Sequence, residues 1–237
     1  MSRLVCVLIF VTALCRGQGV IVIDAGHGGA KPSGTQAGRT LSSDNNAVSP
    51  GGLKEKEVTL ELAQRVIARI NAKKGRLRAV PTRTADVNPD FAARAKVAAD
   101  SKAVMFVSLH FNAVPKGAKK ASGTLGMVQA RKINPHYKED AALAGSLTAA
   151  VNKTLRAWLP DSKALPVGDD HELHGGQGSN LFYQLRAQMK QPVTACFLEV
   201  EFMDNPAVEK AILGANRGAV FDAVAGAIAD AVLAAAK

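Results

Sequence analysis

An α/β domain is predicted, with a mostly parallel or mixed central sheet flanked by helices on both faces. Two observations predict it. Apolar, partly β-branched runs at 20–23, 104–111 and 193–200 are separated by segments whose apolar residues recur at helical spacing, the pattern of strands alternating with covering helices. The 237 residues contain no repeat and no low-complexity linker, and 47% are hydrophobic, which suits one domain around one core.

Residues 1–18 read as an export signal. Arg3 supplies a positive start, 4–14 an apolar stretch, and Arg16-Gly17-Gln18-Gly19 a break. The stretch is too short to span a bilayer stably, and the other reading is an extra buried strand. Bulky Leu14 before Cys15 argues against lipid attachment. Removal of the segment takes Cys6 and Cys15 with it, so Cys196 is left without a disulfide partner.

The first strand, 20–23, stops at Asp24 in a glycine-rich turn that holds His27 between Gly26 and Gly28. Small neighbours let the backbone bend and leave the imidazole open to a ligand. Residues 31–52, rich in Gly, Ser, Asn, Thr and Pro, form an exposed excursion ending in Pro50-Gly51-Gly52. A helix opens at Glu55-Lys56-Glu57, with Val58, Leu62, Val66 and Ile70 as its apolar stripe, and ends at Gly75. Acidic residues in a first turn also suit the helix dipole, whatever else they do.

A short strand at 78–82 precedes Arg83, and a helix at 90–100 carries Arg94 either outwards or against an acid. The second focal strand, 104–112, ends in His110-Phe111-Asn112. Residues two apart on an extended chain share a face, so His110 and Asn112 can address one site. A strand at 123–130 and a helix at 139–158 follow. The irregular stretch 163–180 carries Asp169, Asp170, His171, Glu172 and His174, and a short strand is expected at 181–185. The third focal strand, 193–205, carries Glu199 and Glu201 on one face, where a buried carboxylate must be paired or functional. A helix at 216–236, with Val220, Val224, Ile228 and Val232 in a stripe, closes the chain.

The formal charge of +10 favours an anionic partner such as nucleic acid, an acidic membrane surface or a cell-wall polymer. Aromatic residues are only 5% and the cations are dispersed, which leaves little for base stacking; no nucleic-acid partner is expected. Three cysteines cannot make a four-cysteine zinc site. Two histidines at strand tips, a glutamate at a helix start and another on a late strand do match a catalytic zinc inventory: three ligands, one open position and a nearby carboxylate to move a proton.

Five motifs in order, IVIDAGHGG at 21–29, GGLKEKEVTLELA at 51–63, TRTAD at 82–86, FVSLHFNA at 106–113 and FLEVEFMDNP at 197–206, resemble the zinc-dependent N-acetylmuramoyl-L-alanine amidases of the amidase-3 type. Those enzymes cut peptidoglycan between muramic acid and the stem peptide. The resemblance implies a catalytic domain at 19–237, a Zn2+ cofactor, peptidoglycan as partner, and an exported protein of the periplasm or cell wall. It also implies His27, Glu55 and His110 as zinc ligands, Glu55 being the acid directly before lysine. Glu199, the first acid of the family's E-x-G-F segment, is implied as the catalytic carboxylate that relays a proton from the zinc-bound water to the L-alanine nitrogen.

Departures qualify the match. Glu201 stands where the family has glycine, and is expected either as a surface or ion-paired acid or as a substrate contact. Asn112 and Arg83 are further candidates for touching substrate. The 169–174 cluster is expected as a solvated loop near the cleft. Some relatives carry a plugging helix after the H-x-N strand. The stretch 130–139 is too short for one here, so a monomer active without an activator protein is expected. The competing functions are a zinc peptidase cutting within the stem peptide, and a non-catalytic wall-binding module.

Overall fold

The first β-branched run becomes β1 (Gly19–Ala25), whose residues from Val20 onward are buried, and the rest of the sheet forms around it. The structure is a computed structural model that describes residues 19–73, 75–174 and 176–236; the expected export signal at 1–18 lies outside them. The further strands are β2 (Leu77–Pro81), β3 (Met105–Asn112), β4 (Leu125–Val128), β5 (Gly168–Asp169) and β6 (Thr194–Phe202). They lie in the order β2-β1-β3-β6-β4-β5. The β4–β6 pair is antiparallel and the other pairs are parallel, so the sheet is mixed, as expected.

Strand alternation sends side chains to two apolar layers. Ile21, Ile23, Val107, Leu109, Cys196 and Leu198 share one core with α1 (Glu55–Ala72), α3 (Tyr137–Leu155) and α7 (Arg217–Ala235). Val22, Phe106, Ala195 and Phe197 share the other with α2 (Phe91–Asp100) and α5 (Asn180–Gln188). By length and composition α7 could cross a bilayer. Here its stripe Val220, Val224, Ile228 and Val232 is buried in the core instead. Burial also raises the Cys196 thiol far above its ordinary range and leaves it inert.

Residues 181–185 are not a strand. They sit in α5, where Ser179 caps the start by accepting from Leu181 N. Leu181, Phe182 and Leu185, at helical rather than alternating spacing, turn into the second core. Segment 170–174 forms the short α4 (Asp170–His174), and Pro206–Val208 forms α6, which runs into a π turn at Glu209–Leu213.

The chain leaves β1 for β2 on one side and returns to β3 on the other. Such a reversal opens a crevice beyond the carboxyl ends of the strands. His27 follows β1 and His110 ends β3 at that crevice.

Candidate metal centre and active site

His27 sits at the tip of β1 with φ of 61°, a left-handed conformation uncommon outside glycine and asparagine. The local sequence makes room for it. A Cβ at Gly26 would lie 2.3 Å from His110 Cε1, and one at Gly28 would lie 2.0 Å from Val87 O; only glycine lets this turn run so close to its neighbours.

Two buried arginines pin the turn by its carbonyls. Arg83 donates to Ala25 O (2.9 Å), Gly26 O (3.0 Å) and Lys56 O (2.7 Å). Arg94 donates to Ala25 O (2.8 Å) and His27 O (2.9 Å) and pairs with Asp24 at 2.7 Å. Lys56 binds Gly29 O and Asp86, whose carboxylate accepts from Gly29 N. The TRTAD and EKE motifs thus hold the histidine turn from outside.

Glu55 lies at the junction of the elements. Its Oε1 is 2.9 Å from His110 Nδ1, 3.2 Å from His27 Nε2 and accepts from Phe111 N; its Oε2 accepts from Ala47 N. Burial opposes its ionisation, but the two imidazoles outweigh that and hold the carboxyl below the ordinary range.

Each histidine has one nitrogen facing Glu55 and the other engaged by protein. His27 Nδ1 lies 3.1 Å from both Ser43 O and Ser43 Oγ; the carbonyl only accepts, which places the proton on Nδ1 and leaves Nε2 as the nitrogen that faces Glu55. His110 Nε2 lies 3.1 Å from Ser108 Oγ, whose own proton goes to Asp24 Oδ2. Nε2 is therefore placed to donate to Ser108 Oγ, and Nδ1 is the nitrogen that faces Glu55. Second nitrogens fixed in this way orient imidazoles for metal binding.

Ligand atoms of His27, Glu55 and His110 lie within 4.8 Å of one another, close enough to hold a metal ion. His27 Nε2 is buried and makes no hydrogen bond among the described residues; burial lowers the proton affinity of the imidazole, and the neighbouring Glu55 carboxylate outweighs that and raises it. Two imidazoles and one carboxylate suit zinc with one position left open.

Glu199 stands opposite His110 in the β3–β6 register and lines the same cavity, while its Oε2 is buried and unpartnered. Burial, helped by the negative charge of Glu55, raises its carboxyl well above the ordinary range. The cavity encloses about 780 Å³ and is walled by His27, Asn46, His110, Asn112 and Glu199 with segments of the excursion and of 176–180, a size suited to a sizeable ligand.

Asn112 therefore reaches the cavity, but Arg83 and Glu201 do not. Arg83 spends its donors on the backbone. Glu201, neither at the surface nor ion-paired, is fully buried, accepting from Gly123 N, Ser162 Oγ and Phe202 N. The strand irregularity between His110 and Asn112 gives β6 an extra residue at this point, a usual way to re-aim a side chain. Residues 169–172 of the expected solvated loop are only partly exposed. Asp170 is 1% exposed and brackets Ala130 N and Ser179 N.

Sequence reasoning missed the support beneath His110. Ser108 and Asp24 are buried polar residues on strands, and the S-x-H spacing was the available signal. Ser108→Ala is expected to weaken metal affinity by about 10–100-fold. Titration against a competing zinc chelator would measure it, and unchanged affinity would remove Ser108 from the metal's support.

A protein-family model described as N-acetylmuramoyl-L-alanine amidase matches residues 21–234. The chain belongs to that family. Similar family proteins include amidase AmiC of Neisseria meningitidis, 28% identical over 218 residues, which cover 83% of this chain and 48% of that protein. The chain thus spans about half the length of this curated relative. The solved amidase AmiC2 of Nostoc punctiforme has a TM-score of 0.64 at 27% identity, covering 92% of this chain and 97% of that one. The CwlD amidase of Clostridioides difficile, solved in complex with the GerS lipoprotein, has a TM-score of 0.64 at 18% identity over 92% and 98% of the two chains, a likeness of fold.

Proposed function

We propose that this chain is a zinc-dependent peptidoglycan hydrolase that cleaves the amide between N-acetylmuramic acid and the L-alanine of the stem peptide. The observation that carries the reading is the meeting of His27 Nε2, His110 Nδ1 and Glu55 at one point of a cavity that Glu199 also lines. Zinc held there would supply a Lewis acid for the amide carbonyl and make a water acidic near neutral pH. Glu55 is fixed by the amides of Ala47 and Phe111 and, with the two imidazoles, would hold the ion. Glu199, a buried carboxyl on the wall of the same cavity, is placed to take a proton from the attacking water and to deliver it to the departing L-alanine nitrogen. Asn112 Oδ1 accepts from Ala113 N, which leaves its amino group to donate to substrate.

The reading includes export to the periplasm or cell wall and action as a monomer without an activator. Residues 129–136 join β4 to α3 through a turn with no helix, which supports a cleft open without a partner. The basic surface, at a formal +10, would draw the protein to anionic wall polymers.

Digestion of purified peptidoglycan by the protein from Gly19 onwards, with masses taken of the soluble products, tests the reading. Free stem peptides beginning at L-alanine, lost with a chelator and restored by zinc, are expected. Muropeptides trimmed inside the stem would make it a peptidase of the same fold. Zinc bound with no product would leave a wall-binding module.

A further inference from the structure

One wall of the cavity is built from two segments far apart in sequence: the excursion, which supplies Gln36 and Leu41, and 176–180, which supplies Gln177 and Asn180. Arg39 fastens them together. Its Nε donates to Asn180 Oδ1 (3.2 Å), its Nη2 donates to Gln177 O (2.7 Å) and Gly178 O (3.2 Å), and its guanidinium lies 4.3 Å from the centroid of the Tyr183 ring. Gln184 Nε2 adds bonds to Gly38 O (3.1 Å) and Arg39 O (3.2 Å). Asp170 holds the same segment by Ser179 N. Arg39 adopts this pose at φ of 52°, a conformation that a side chain of its size rarely takes.

All of these donors go to neutral oxygens, which a planar guanidinium fork can reach together and a lysine cannot. The bond to Asn180 has a further consequence. An Nε–H can face only the oxygen of that carboxamide, because the flipped amide would set donor against donor. Asn180 therefore lines the cavity with Oδ1 occupied, and among the described residues nothing accepts from its Nδ2.

We infer that Arg39 is a positioning residue for substrate: it fastens this wall and orients Asn180 to donate to a carbonyl oxygen of the bound glycopeptide. The inference rests on that part of the proposed function which makes this cavity the peptidoglycan-binding cleft. Its novelty lies in a residue that touches no reacting atom yet sets how the ligand is gripped.

The test is binding of N-acetylmuramoyl-pentapeptide, and of the free pentapeptide, to the zinc-loaded full chain carrying Glu199→Gln, followed by calorimetry. Arg39→Ala is expected to weaken the muramoyl ligand about fivefold, the scale of one neutral hydrogen bond. Asn180→Asp keeps an acceptor for Arg39 but loses the donor, and should weaken binding by a similar factor. The double variant should lose little more than the larger single effect, well short of the roughly 25-fold of two independent fivefold losses, since the two residues act through one contact. Arg39→Lys, with charge but no fork, should stay weak. Loss on both ligands puts the acceptor on the peptide and loss on the muramoyl ligand alone puts it on the sugar; both outcomes uphold the inference. Unchanged affinity in Arg39→Ala, full affinity in Asn180→Asp, or no binding by the parent protein would overturn it. If the wild-type chain releases no stem peptide while these binding losses appear, the amidase reading fails and this inference stands.

Discussion

Glu199→Gln is expected to lower amide cleavage by about a hundred- to ten-thousand-fold, the usual worth of a positioned general acid–base, with metal content unchanged. The substitution keeps the shape of the side chain and removes its capacity to carry a proton. Glu199 is not among the three residues that converge on the metal position, so the ion should stay. Its own environment argues for proton transfer over structure. Burial and the charge of Glu55 raise its proton affinity, and its Oε2 has no protein partner to satisfy. A carboxyl held this way costs stability, and in a cleft it marks a candidate for function. Initial rates of stem-peptide release, with zinc measured on the same samples, decide the point. A rate within about fivefold of wild type would move the general base elsewhere, since losses that small fall below the range for such a group.

The second large effect concerns stability. Arg94→Met should cost about 3–5 kcal/mol, or roughly 6–20 °C in Tm for a domain of this size, because it strands a buried charge. Arg94 and Asp24 are each 1% exposed and lie 2.7 Å apart. Burial works against the Asp24 carboxylate. The charge of Arg94 and the hydroxyls of Ser108 and Thr82 overcome it and hold the carboxyl below its ordinary value. A depressed carboxyl contributes stability that is complete above its unfolded pKa of about 3.9 and is lost as pH falls through the folded value. In Arg94→Met the burial cost is opposed only by the hydroxyls, and protonation relieves it. The gap between wild type and variant should therefore narrow as pH drops from neutral towards about 4. Urea denaturation at several pH values, without added metal, reads this directly. A constant gap would mean that the loss comes from the carbonyl contacts at Ala25 and His27 and not from the charge.

Much of this protein was determined by sequence alone. The β-branched run of β1, the stripe Val58, Leu62, Val66 and Ile70, and the alternation of strands with helices are local consequences of side-chain shape and hydrophobic period. These carry the fold class and most of the elements. The strand-tip histidines were legible for a related reason, since titratable groups at the ends of apolar strands have few roles in a core; Glu55, an acid in a helix's first turn, was singled out only by the family resemblance.

Tertiary structure decided the rest. Residues 181–185 are short and apolar enough to suit either strand or helix, and the core under α5 settled it. Glu201 shares the alternation of Glu199, but its partners Gly123 and Ser162 lie 78 and 39 residues away, beyond what periodicity can see. The choice of nitrogen on each histidine depends on Ser43 and on the Ser108–Asp24 pair, and Arg39 joins two segments of one cavity wall that lie about 140 residues apart. Periodicity is set within a few residues, whereas a proton's position is set by whatever oxygen the folded chain brings within about 3 Å.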